Sequence, residues 1–155
     1  MTGDSIAWAT GWRMDNVFSI AQGGARFTRT DAVPDGGPML ESIGTRIDAV
    51  LEATGRHPDT ILILGGANDV LQGWGNPIAA AVSVHDRLEA DGIDVRFVTE
   101  PFELAAPWLG YFNDDLRDRF ADTIDCESDG YPLSDRIHPT LGAYEAYADC
   151  VQGAL

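Results

Sequence analysis

The sequence predicts an α/β fold in three layers, with a short parallel sheet between two layers of helices. Two observations predict it. Short apolar, β-branched runs recur along the chain, and segments with helical spacing of apolar residues separate them. Strands alternating with helices imply parallel pairing through crossover helices, with both sheet faces covered. A third observation orients the sheet. Glycine- and Asn/Asp-rich turns follow the runs, and ligands in such sheets bind beyond the carboxyl ends of the strands.

The strand-length runs are Val17–Ala21, Thr60–Leu64, Asp94–Val98 and Thr123–Cys126. Between the first two, Met39–Leu51 carries Leu40, Ile43, Ile47, Val50 and Leu51 at spacings of three and four, and Pro38 suits a first helical turn. Asn76-Pro77 opens a second helix, with Ile78, Val82, His85 and Leu88 on one stripe and Gly92 as its stop. A last helix is expected from about Thr140 to Gln152, burying Leu141, Tyr144, Ala148 and Val151. The 155 residues contain no repeat, low-complexity tract or linker-like stretch, so a single domain over residues 1–155 is expected.

Hydrophobic residues make up 45% and charged residues 23%, an ordinary globular balance. The formal charge is −15, and only 10 Lys and Arg are present to meet phosphates, which argues against nucleic acid or anionic membrane as partner. No run approaches the ~18–20 apolar residues of a membrane span. The opening MTGDSIAWAT lacks the basic start and apolar run of a secretion signal, so the expected location is cytoplasmic, or outside by release without a conventional signal peptide. Cys126 and Cys150 can form at most one bridge, and the expectation is two small, buried, apolar thiols in a reducing compartment. No metal-binding His/Cys spacing or Walker loop is present, and Gly73-Trp74-Gly75 does not extend to a dinucleotide fingerprint. Neither metal nor cofactor is expected.

Four short motifs carry chemistry: Gly3-Asp4-Ser5, Gly23-Gly24, Gly65-Gly66-Ala67-Asn68-Asp69 and Asp135-Arg136-Ile137-His138-Pro139-Thr140. Gly23-Gly24 follow the first run, Gly65–Asp69 the second, and the His138 loop the last, which places three of the four on one sheet edge. A serine hydroxyl is a poor nucleophile until a base takes its proton, so Ser5 needs an imidazole within hydrogen-bond reach. His138 is the candidate base. Asp135, three residues earlier, can turn back and accept the other imidazole proton, fixing the tautomer and stabilising the imidazolium. His57 precedes a strand and so belongs to the opposite edge, while His85 lies mid-helix and reads as structural. Arg26 reads as a surface arginine rather than an anchor for an anionic substrate.

The ordered quartet resembles the SGNH (GDSL-type) hydrolase family, named for Ser, Gly, Asn and His in successive blocks. Gly3-Asp4-Ser5-Ile6 is similar to block one, Ser19–Gly24 to block two, Gly66-Ala67-Asn68-Asp69 to block three, and Asp135-x-x-His138-Pro139 to block five. The resemblance runs from residue 3 to residue 140. It implies a flavodoxin-like α/β/α fold and serine-dependent hydrolysis of carboxylic esters. It also implies an oxyanion hole from the backbone N–H groups of Ser5 and Gly24 and the side-chain amide of Asn68. Asp4 and Asp69 would brace the loops beside these groups. The Gly-x-Ser-x-Gly elbow of α/β-hydrolases is absent.

Two departures stand out. Block two has Ser19 and Ala21 where the family often has Asn and Gly, which leaves Gly23 and Gly24 to be told apart as donors. The family also reaches Gly-Asp-Ser at the end of a central first strand, whereas only Met1 and Thr2 precede it here. Without that strand its neighbours would stand about 9–10 Å apart with unpaired backbone groups. Three arrangements would resolve this: a start placed too far downstream, a strand lent by another chain, or a rearranged sheet with Ser5 on an unusual N-terminal segment. The oligomeric state stays open with it.

Aromatics at Trp8, Trp12, Trp74, Phe102, Trp108 and Tyr111 lie near the motifs or after strands, and Trp8, Trp74 and Phe102 are the candidates to floor a substrate pocket. Short to moderate connections on the catalytic edge favour an open site and a small acyl group. The expected substrate is a small-molecule or glycan ester, with O-acetyl groups on carbohydrate foremost. The alternatives are a longer-acyl esterase, lysophospholipase or thioesterase, or a catalytically silent carbohydrate-binding or assembly module on the same scaffold.

Overall fold

The computed structural model describes residues 1–28, 42–73, 75–101, 107–127, 131–135 and 137–155. Its sheet is parallel, in the order β1 (Thr2–Gly3), β2 (Thr60–Leu64), β3 (Asp94–Phe97). Thr2 stands opposite Ile63 and Gly3 opposite Leu64, while Thr60 to Ile63 pair with Asp94 to Phe97. Because side chains alternate along a strand, β2 feeds two cores. Ile61 and Ile63 pack with Ile43 and Ile47 of α2 (Ile43–Thr54), Val84 and Leu88 of α4 (Pro77–Ala90), and Phe112 and Leu116 of α5 (Pro107–Arg119). Leu62 and Leu64 pack with Ile6 and Ala7 of α1 (Ser5–Gly11) and with Tyr144, Tyr147 and Val151 of α6 (Leu141–Gly153). The three-layer expectation holds.

The helices start where capping chemistry allows. Asp4, Ser42 and Asn76 cap α1, α2 and α4, each side chain accepting a backbone N–H of the first turn. The short α3 (Ala67–Gln72) lies between two left-handed glycines, Gly66 and Gly73. Periodicity missed α1, α3 and α5, of which the first two are too short to show a stripe. The first expected helix, Met39–Leu51, is α2, described from Ile43 with Ser42 as its cap and running to Thr54, while Pro38–Glu41 lie outside the described residues. The buried stripe of α4 is Ala81, Val84 and Leu88 rather than Ile78, Val82 and His85, since the small Ala81 lets the helix approach the sheet. Leu141 is 74% exposed, not buried, because the first residue of α6 projects past the end of the core.

Two expected strands are not regular ones. Val17–Ala21 is extended beside β1, with Met1 N donating to Phe18 O (2.8 Å), Ile20 N to Met1 O (2.9 Å) and Gln22 N to Gly3 O (3.0 Å), but β1 is too short to template a full ladder. Thr123–Cys126 contributes one parallel bridge, Ile124 to Val98. Among the described residues the strand that leads to Ser5 is the two-residue β1, paired with β2 of the same chain. Behind its start lies a cavity of about 500 Å³ between Val17–Phe18 and Thr60–Leu62, floored by Ile47, Val50 and Leu51.

The cysteine expectation is corrected. Cys126 and Cys150 form a disulfide, because the Val98–Ile124 bridge carries Cys126 beneath α6, where the two Cα atoms stand 5.9 Å apart. No described helix is long and apolar enough to cross a membrane.

Candidate active site

Gly3 sets the position of Ser5. Its φ is +142°, and a Cβ there would lie 1.6 Å from the Leu64 carbonyl oxygen. That oxygen accepts the Asp4 N–H (3.2 Å), so β1 can follow β2 this closely only without a side chain. The chain then turns at Asp4 into α1, and Ser5 is its first residue, at the carboxyl end of β1.

The imidazole arrives on a hairpin near the other end of the chain. Leu133 and Pro139 form an antiparallel bridge, with Ser134 N donating to His138 O (2.8 Å) and Thr140 N to Pro132 O (2.8 Å). Inside this hairpin Asp135 Oδ1 accepts the backbone N–H of His138 (2.7 Å) and of Ile137 (3.1 Å). Asp135 Oδ2 stands 2.8 Å from His138 Nδ1, and His138 Nε2 stands 2.9 Å from Ser5 Oγ. With Nδ1–H donating to the carboxylate, Nε2 is left as acceptor for the serine proton. The His138 backbone N–H first, and its ring second, hold the Asp135 carboxyl down at about 2, below its ordinary 3.8. Sequence reasoning placed all three residues, and the structure brings all three together.

The proposed oxyanion groups flank Ser5. Ala25 N donates to Gln22 O (3.0 Å), closing a turn in which Gly24 takes φ +79°. A Cβ on Gly23 would lie 3.9 Å from that of Ser5, so this turn abuts the nucleophile. The N–H groups of Ser5, Gly23 and Gly24 have no acceptor among the described residues. Asn68 spends one amide N–H on Ala25 O (3.2 Å), tying α3 to the same turn and leaving its second N–H.

Both bracing aspartates are buried. Asp69 Oδ2 accepts Phe27 N (2.9 Å), and its Oδ1 accepts Thr28 N (3.1 Å) and Thr28 Oγ1 (2.5 Å). Asp4 Oδ1 accepts Ile6 N (2.9 Å). Sequence reasoning missed Glu100, which is fully buried just past β3 and whose Oε1 accepts Ala67 N (3.2 Å). The signal was there: an acid directly after an apolar strand, on the edge where the motifs gather.

Arg26 is only 9% exposed and donates to Gln72 Oε1 (2.6 Å), so the surface reading is corrected. It lies two residues past the Gly24 turn, on the segment that Asn68 and Asp69 hold against α3. His57 is exposed and bonded to Asp91 O (3.0 Å), and His85 packs against Phe120 (4.9 Å between centroids), as expected of both. Trp8 lies one helical turn from Ser5, 53% exposed, its ring edge-on to Trp12 at 6.2 Å. Trp74 and Phe102 lie outside the described residues, as does the Trp108 side chain. The large cavity belongs to the opposite end of the sheet from Ser5, among His57, Pro58 and Thr60.

No protein-family model matches the chain, and no curated protein matches it in sequence. Solved structures do. A lipolytic protein of the G-D-S-L family from Veillonella parvula superposes with a TM-score of 0.73 at 16% identity, covering 98% of this chain and 94% of that one. TesA gives 0.71 at 19% identity, over 99% and 95% of the two chains. The psychrotrophic esterase EstA from Pseudoalteromonas sp., in a structure inhibited by monoethylphosphonate, gives 0.66 at 16%, over 99% and 95%. The chain thus has the fold of the G-D-S-L structures, with its own Ser5, Gly24, Asn68 and His138 gathered at the carboxyl ends of the strands.

Proposed function

We propose that this protein hydrolyses short-chain carboxylic esters through an acyl-enzyme on Ser5, with O-acetyl groups on carbohydrate as the natural target class. The observation that carries the reading is the relay Ser5 Oγ–His138 Nε2 (2.9 Å) and His138 Nδ1–Asp135 Oδ2 (2.8 Å), closed between residues 133 positions apart. Ser5 Oγ attacks the ester carbonyl while His138 takes its proton. The tetrahedral oxyanion takes hydrogen bonds from Ser5 N–H, Gly24 N–H and the second amide proton of Asn68. His138 then protonates the leaving alcohol, and a water deprotonated by the same imidazole releases the acid. Trp8, exposed and one turn from the nucleophile, offers an apolar ledge for an acyl group or a sugar face.

The tests are turnover of p-nitrophenyl acetate and labelling of Ser5 by a fluorophosphonate. Ser5→Ala and His138→Ala should each lower turnover by about a thousandfold or more while the fold persists. Asn68→Ala should cost on the order of a hundredfold in kcat. A folded protein that neither labels nor turns over would leave a binding module on this scaffold as the reading. A p-nitrophenyl ester series from acetate to decanoate tests the acyl size, and a maximum at decanoate would replace the short-chain assignment.

A further inference from the structure

Behind Ser5 lie two carboxyls that the proposed mechanism does not use. Asp4 is 1% exposed and Glu100 0%. Each gives one oxygen to a backbone N–H that starts a site-bearing helix: Asp4 Oδ1 to Ile6 N of α1, Glu100 Oε1 to Ala67 N of α3. The other oxygens, Asp4 Oδ2 and Glu100 Oε2, are fully enclosed and meet no donor. Two buried carboxylate oxygens without donors are costly, and more so where the charge of one acts on the other, as that of Asp4 does on Glu100. A single proton relieves both defects, since one O–H···O⁻ bond satisfies both oxygens and removes one charge.

We propose that Asp4 Oδ2 and Glu100 Oε2 share one proton, and that this acid pair is a positioning device that locks the turn carrying Ser5 to the turn carrying Asn68. The inference rests on the ester-hydrolase reading only for its consequence in catalysis. The pair itself stands on burial and on the two donorless oxygens.

The surroundings agree. Facing Asp4 are the N–H groups of Ile6 and Ala7, His138 from the hairpin and Asp69 from α3. Facing Glu100 are Asp4 and the Ala67 N–H, while Asn113 of α5 bonds only its backbone. From α6, Tyr144 and Tyr147 feel both charges, but the Tyr147 hydroxyl donates to Thr99 O and the Tyr144 ring lies under Arg13. Burial raises the Asp4 carboxyl to about 6, with its two backbone bonds and His138 opposing and Asp69 adding a little. Burial, then the charge of Asp4, raises Glu100 well above its ordinary range. Asp69 is already met by three donors of its own.

The experiment compares wild type with Glu100→Gln and Glu100→Ala. At neutral pH, the infrared spectrum of wild type should show a protonated carboxylic-acid carbonyl band that Glu100→Gln lacks. From ordinary carboxylate values up through neutral pH, wild-type folding should take up a proton, so its stability falls as pH rises, and Glu100→Gln should fall less steeply there. Glu100→Gln supplies a fixed N–H to Asp4 and should keep kcat within about threefold. Glu100→Ala leaves Asp4 unpaired and should lower kcat by about tenfold or more with KM little changed. Absence of the band in wild type, or its survival in Glu100→Gln, would overturn the shared proton. Equal kcat in Gln and Ala variants would overturn its positioning role. Neither spectrum nor unfolding curve depends on turnover, so a failure of the hydrolase reading would show separately, in the labelling of Ser5.

Discussion

Asp69 offers the sharpest test of how the loops beside Ser5 are held. It is 1% exposed and takes three hydrogen bonds, two from the backbone N–H groups of Phe27 and Thr28 and one from the Thr28 hydroxyl. Asp69→Ala removes all three. The Thr28 hydroxyl can rotate elsewhere, but the two N–H groups cannot, and each donor left unsatisfied costs about 1–3 kcal/mol. The expected loss is therefore about 2–6 kcal/mol, a large part of the ~5–15 kcal/mol that holds a typical domain together. Asp69→Asn keeps an acceptor for the two Thr28 donors but turns an NH₂ toward Phe27 N–H, so about 1–3 kcal/mol should go. Urea unfolding of the three proteins measures both numbers. Because Asn68 reaches back to Ala25 on the same segment, kcat should fall in both variants before the fold does. If Asp69→Ala and Asp69→Asn lost the same stability, or both less than about 1 kcal/mol, the bracing argument would be wrong.

Three further outcomes are expected. Gly3→Ala should abolish folding or cost more than about 3 kcal/mol, since its Cβ would sit 1.6 Å from the Leu64 carbonyl at φ +142°; an unfolding midpoint near wild type would refute the close approach of β1 to β2. Asp135 has its carboxyl lowered by its partners in the folded state, so its contribution is present above pH 3.8 and is lost as pH falls through about 2. A carbon-detected NMR titration of Asp135 with a midpoint near 4 would contradict the pairing with His138. Reduction of Cys126–Cys150, 24 residues apart, should lower stability by about 3 kcal/mol, read from urea curves with and without reductant.

The site was more legible than the scaffold, for a physical reason. Ser5 and Asn68 open helices directly after strands and Asp135 and His138 sit on a tight hairpin, places where residue types serve both backbone geometry and chemistry, so the letters speak twice. The sheet's centre was legible through Thr60–Leu64, where burial on both faces leaves an unbroken apolar run, and through Asp94–Phe97, where buried Val95 and Phe97 alternate with half-exposed Asp94 and Arg96. Its flanks were not. Whether Val17–Ala21 forms a regular strand depends on the length of its neighbour β1, which no local pattern reports. The α4 stripe was misread by one position because Ala81 buries well while contributing little to apolar periodicity. The disulfide and the Glu100 burial are products of tertiary placement. Cys126 meets Cys150 only once Ile124 bridges to Val98, and Glu100 is enclosed only when α3 and α5 close over the end of β3.

Division of the relay between residue 5 and residue 138 has a kinetic corollary. The nucleophile is made 133 residues before its base, which comes on a hairpin followed by α6, a helix that docks on the segment just after α1 through Arg13–Tyr144 and Asp15–Gln152 contacts. A contact of such sequence separation is entropically slow to close. Reactivity at Ser5 is consequently a late-forming property: during refolding, a serine-directed label should react only after α6 has seated, trailing the recovery of helical signal.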